Sequence, residues 1–90
     1  MTINRKAVRI WMRGINDVLN REWHPIVDCP EDEYEGYVGR LATLLRTRAT
    51  DEEIMKFLEW AEIEQIGLSP PFDWKRGKKV IAALRALKEP

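Results

Sequence analysis

Apolar residues recur at intervals of three and four over most of this chain, and no stretch alternates with the period of two that a half-buried strand requires. The spacing predicts helices. From Ile3 to Trp23, the residues Val8, Trp11, Ile15, Val18 and Leu19 fall on one helical face, with Thr2 or Asn4 available as N-cap and Arg5, Lys6, Arg9, Arg13 and Arg21 mostly on the solvent side. Gly14 lies inside this run at a cost of about 1 kcal/mol relative to Ala, which predicts close backbone packing there. His24 precedes Pro25, whose ring pushes the residue before it out of the helical region, so the first helix ends near Trp23, the expected plug of that end.

Ile26 to Asp32 is a connecting loop closed by Pro30, and a second periodic set, Tyr34, Val38, Leu41 and Leu45, with Tyr37 and Leu44 beside it, predicts a helix over Glu31 to Thr47. Its acidic first turn faces the positive end of the helix dipole, while Arg46 and Arg48 lie near the negative end. Gly36 and Gly39 inside it predict a close crossing by another helix. Thr50-Asp51-Glu52-Glu53 has the form of a capping box, opening a third helix from Asp51 to about Ile66. Ile54, Phe57, Leu58 and Ala61 make its core face; Trp60, Ile63 and Ile66 fall away from that face, and Gly67 supplies a left-handed stop. Leu68 to Phe72, with Pro70 and Pro71, forms the last joint. Asp73 then caps a fourth helix burying Val80, Ile81, Leu84 and Leu87. The expected fold is all-α: four helices joined by short loops in a compact antiparallel bundle, one domain over residues 1–90.

Ninety residues, 44% of them hydrophobic, suffice for one modest core and not for two. Fifteen basic and fifteen acidic residues cancel to a net charge of zero, which removes bulk charge as a means of holding nucleic acid or an anionic membrane. The zero is a cancellation between segments: Asp28 to Glu35 and Asp51 to Glu64 are acidic, whereas both ends of the chain are basic. An acidic and a basic surface are therefore expected to coexist. No stretch approaches the roughly 18 apolar residues of a membrane span, and the first residues lack the apolar run and cleavage site of a secretory signal. Cys29 is the only cysteine, so no disulfide forms within the chain and a reducing cytoplasm is the expected setting.

The run Trp23-His24-Pro25-Ile26, followed by Asp32-Glu33-Tyr34-Glu35 at a helix start and a capped third helix at Thr50, resembles the YugE-like family of small bacterial all-α proteins of unknown function. The likeness covers roughly residues 15–67. The family pattern has Asp where this chain has His24. The resemblance implies a compact helical fold and a bacterial cytosolic setting, and it brings no activity with it.

Between His24 and Glu35 the chain concentrates His24, Asp28, Cys29, Glu31, Asp32, Glu33, Tyr34 and Glu35, the one place where potential metal ligands are close in sequence. Their spacing matches neither a zinc finger nor an EF-hand, so helix capping and solubility is the preferred reading, with no metal and no cofactor expected. Glu59 and Glu62 are three apart on the third helix, as in the paired acids of magnesium-dependent hydrolases, with Glu52 and Glu53 before them, but no companion acidic motif stands on a second helix. Pairs of Glu on an exposed helix face are ordinary, so a solvated face is the preferred reading. Cys29 lacks a convincing base and orienting group for nucleophilic catalysis, and no catalytic residue is assigned. Lys75, Arg76, Lys78, Lys79, Arg85 and Lys88 oppose Glu89 alone, so the fourth helix is locally basic. Trp74 could stack on a base there, and Arg5, Lys6, Arg9 and Arg13 extend the patch if the first and fourth helices are neighbours. The Pro-rich joint before this helix does not suit a helix-turn-helix. Trp60, flanked by Ile63, Ile66, Glu59 and Glu62, is either buried under the fourth helix or the candidate contact for a protein partner, because Trp is enriched in binding hot spots. The leading expectation is a non-enzymatic protein-binding module, through self-association or as regulator or neutraliser of a partner; a nucleic-acid-associated regulator is second and a metal-dependent hydrolase third.

Overall fold

The computed structural model describes residues 4–24 and 33–90. It is an all-α bundle of four helices, with no strand among the described residues. Helix α1 (Arg5–Val18) is capped by the Asn4 side chain, which accepts from the Ala7 backbone N–H at 3.1 Å. It continues into a π-turn over Leu19–Trp23, closed by the His24 N–H donating to the Leu19 carbonyl at 2.8 Å. Helix α2 covers Glu35–Arg46 and helix α3 covers Asp51–Trp60, which runs into a second π-turn over Ala61–Gln65; α4 covers Trp74–Ala86. The capping box at Thr50 and Glu53 is formed in both directions, and the Asp73 carboxylate accepts from the Lys75 and Arg76 N–H groups.

The two π-turns explain which aromatic and aliphatic residues reach the core. An i→i+5 turn holds one residue more than an α turn, so every later side chain is set back around the axis. In an unbroken α1 the position after Ile15 and Val18 on the core stripe is Glu22; the extra residue puts Trp23 there instead, only 1% exposed. In α3 the stripe Ile54, Leu58, Ala61 leads to Gln65, and the π-turn replaces it with Ile66, half-buried and packed on the core. Gly67, at φ +87, then ends the helix in the left-handed region.

Contacts between helix ends fix the topology. Trp23 meets Tyr34 and Tyr37 at 5.2 and 5.7 Å between ring centroids, while Arg46 lies over Trp11, so α2 runs back along α1. Tyr37 meets Phe57 at 6.3 Å, and Arg85 bridges to Asp51 and to the Ala49 carbonyl. Glu62 and Arg76 pair at the other end, so α3 and α4 are antiparallel. Leu87 packs on Gly14, where a Cβ would stand 3.1 Å from Leu87 Cδ2, so the close approach expected at Gly14 is present.

Three expectations are corrected. Helix α2 starts at Glu35 rather than Glu31, because Glu33 and Tyr34 form a turn and the buried Tyr34 ring wedges against Trp23 before the helix begins. Gly36 and Gly39 mark no helix crossing: a Cβ at either would meet nothing within 4 Å. The glycine that a neighbour does press is Gly77, whose missing Cβ leaves room for the Met55 sulfur and the Phe72 ring. Val8 and Leu87 are half-buried rather than fully in the core.

Candidate functional site

Of the acidic loop, Asp28, Cys29, Glu31 and Asp32 lie outside the described residues, as does the alternative cap Thr2. His24 is exposed with its backbone in the left-handed region, its ring 6.3 Å from that of Tyr34. Glu33 and Glu35 are exposed, and Tyr34 is fully buried. Among the described residues no set of three or more His, Cys, Asp or Glu is placed to hold a metal.

The two basic sets are not brought together. Although α1 touches α4, they run antiparallel, and Gly14 meets Leu87 at the C-terminal end of α4. Arg5 and Lys6 therefore lie beyond that end, whereas Lys75 stands twelve residues earlier, about 18 Å along the helix at 1.5 Å per residue. Arg9 and Arg13 instead line a groove of about 790 Å³ between α1 and α2, with Asp17, Glu35 and the two open glycines. Arg76 is withdrawn from the patch altogether: its guanidinium pairs with Glu62 and lies over the Phe72 ring. Lys75, Lys78 and Lys79 remain exposed.

The hot-spot set of α3 is also divided. Trp60 is 41% exposed, but its ring leans on Phe57 and Arg40 lies over both rings at 5.9 and 5.5 Å, so its faces already have partners within the chain. Ile63 and Ile66 pack against the core rather than away from it, Ile66 through the extra residue of the π-turn. Glu62, expected on a solvated face, is 4% exposed, because the α4-facing side of α3 is covered there and Arg76 supplies the opposite charge. Glu59 is half-buried.

A second groove, of about 570 Å³, lies between α3 and α4. Trp74, Met55, Ile81 and Ala82 contribute its apolar surface, Asp51 and Glu52 its α3 side, and Lys78 and Arg85 its α4 side. Trp74 is 51% exposed, held at the first position of α4 by the Asp73 cap, and no ring or cation among the described residues stacks on it. In the sequence Trp74 is marked only as a ring for base stacking. The signal that finds the groove is the spacing Trp74, Lys78, Ile81, Arg85, intervals of four, three and four, which draws a second stripe on α4 beside the core stripe Gly77, Val80, Leu84. Comparison with protein-family models, curated proteins and solved structures finds no match to the chain.

Proposed function

We propose that this chain is a small helical protein-binding module, acting through the α3–α4 groove in a bacterial cytoplasm. The setting is supported by the single cysteine and by the likeness to the YugE-like family at Trp23 to Ile26. One observation carries the binding reading: Trp74 stands half-exposed over an open apolar groove whose two sides carry opposite charge. A large aromatic left in water costs free energy that burial recovers, at about 25 cal/mol per Å² of apolar surface. Trp is also the residue type most enriched where binding energy concentrates. The α1–α2 groove is larger but offers Met12 and Val38 among charged groups and bare glycines, with no comparable anchor. No helix of the described residues is long and apolar enough to cross a membrane.

The test is affinity capture from host cells with wild type and Trp74→Ala side by side. A partner retained by the wild type and lost by the variant, with the helical circular dichroism unchanged, is expected; identical captures by both proteins would remove the groove from the function.

Trp74 also favours a second reading, because Lys75, Lys78 and Lys79 surround it on exposed α4 positions, the combination of aromatic platform and cations that single-stranded nucleic acid uses. Binding to mixed single-stranded DNA and RNA at low salt would support it, and its absence there would end it, since electrostatic binding is strongest at low salt.

A further inference from the structure

Two ion pairs fix the register of α3 against α4: Asp51 is level with Arg85, and Glu62 is level with Arg76. Antiparallel helices rise equally per residue in opposite directions, so Glu59 lies level with Lys78, and Met55 level with Ile81 and Ala82. Glu52, Met55, Glu59 and Glu62 follow one another at intervals of three, four and three, and three of the four are seen to face α4, two as groove lining and one as the partner of Arg76. The groove thus has an acidic wall on α3, a basic wall on α4, and an apolar middle. Its charges are only partly used. Glu52 reaches the exposed Lys56 on its own helix at 3.4 Å, and among the described residues neither Glu59 nor Lys78 is in an ion pair.

Resting on the protein-binding reading, we infer that the occupant of this groove is the same groove of a second copy of the chain, the two related by a twofold axis running along it. The charge layout selects that arrangement. A twofold axis across the groove lays α3 on α3 and α4 on α4, acid on acid and base on base. An axis along the groove lays α3 of one copy on α4 of the other at the same level, so Glu59 meets Lys78 of the second copy and Glu52 meets Arg85 of the second copy. Each contact occurs twice, as a self-complementary interface requires. Ala82 of each copy meets the other's at the middle, over the buried Met55 and Ile81, and each exposed Trp74 ring covers the second copy's α3 near Ile63. The zero net charge of the chain leaves no long-range repulsion between copies. The two exposed Trp74 rings supply the apolar area to be buried; the charges choose the partner and the direction.

The experiment is light scattering and sedimentation of the full chain over a concentration series, with Glu59→Lys and Lys78→Glu made separately. Wild type is expected to dimerise. Each variant brings like charges together in its own homodimer and is expected to weaken association at least tenfold. An equimolar mixture of the two variants is expected to restore a dimer, because both inter-copy contacts then join opposite charges. Circular dichroism melts report that each variant is folded. Trp74→Ala with Lys78→Glu gives the same readout at exposed positions, without touching the half-buried Glu59. Single variants as dimeric as wild type, or a mixture that stays monomeric, would overturn the twofold pairing. A wild type that is monomeric at every concentration overturns it too; if Trp74→Ala still loses a host protein that this monomer retains, the protein-binding reading stands with a foreign occupant, and if no such protein exists both fall.

Discussion

Single residues show how little of a side chain's role follows from its type. Glu62 looks like an ordinary member of an exposed acidic pair, yet it is one of the most buried charges described, and its burial is tolerable because Arg76 stands across the α3–α4 interface. Removing one partner of a buried pair strands the other, at about 3–5 kcal/mol. The Arg76 side chain keeps 30% of its surface in water, so Glu62→Ala is expected near the low end, about 3 kcal/mol, in urea-induced unfolding. Asp51 and Arg85 are far more exposed, and Asp51→Asn is expected to cost under about 1 kcal/mol in the same measurement. The glycines separate in the same way. Gly39→Ala gains helix propensity with nothing to strike and is expected to stabilise by about 1 kcal/mol, several degrees in Tm for a domain this small. Gly77→Ala drives a methyl group onto Met55 and Phe72, two buried neighbours, and is expected to lower Tm despite the same gain in propensity, because overpacking costs about 1–3 kcal/mol. Composition shows none of this difference: it requires knowing which face of α4 meets α3.

At the scale of elements, the helices and their caps were legible because the signals are local. Asn4, Asp73 and the Thr50–Glu53 box all cap the helices they precede in sequence. Where the helical runs of α1 and α3 stop was legible too, from His24-Pro25 and from Gly67; the π-turns inside those runs were not, because helical periodicity assumes a constant turn. The sequence marks Trp23 as a plug without a mechanism and puts Ile66 outside; each position follows from the extra residue of its own π-turn. That extra residue is testable by deletion. Removing the exposed Gln65 converts the second π-turn to an α turn and leaves Ile66 on the core stripe, so a cooperative thermal melt is expected to survive. Removing the equally exposed Lys56 from the α portion of α3 rotates Phe57, Leu58 and Ala61 off the core, and loss of the cooperative melt is expected. Equal tolerance of both deletions in circular dichroism melts would refute this account of how the helix keeps phase.

At the scale of the whole molecule, antiparallel packing decides what the charges can do together. The sequence shows two basic ends and suggests a joint patch; the bundle folds the first end beyond the C-terminus of α4, away from Lys75, Lys78 and Lys79, and gives Arg76 to Glu62. The candidate site moved for a related reason, since exposure of Trp74 and cover over Trp60 depend on which helix lies beside each ring, a tertiary property with no local signature. The consequence for nucleic acid is quantitative. Binding by the α4 cluster engages at most the three lysines, so the slope of log K against log salt for single strands, about −0.7 per neutralised phosphate, is expected to be no steeper than about −2. Arg5→Ala with Lys6→Ala is expected to leave that slope unchanged, and Lys75→Ala to reduce it by roughly one phosphate. A slope of about −4 or steeper, or one that Arg5 and Lys6 control, would require the two ends of the chain to act on one strand, which the antiparallel placement of α1 and α4 separates.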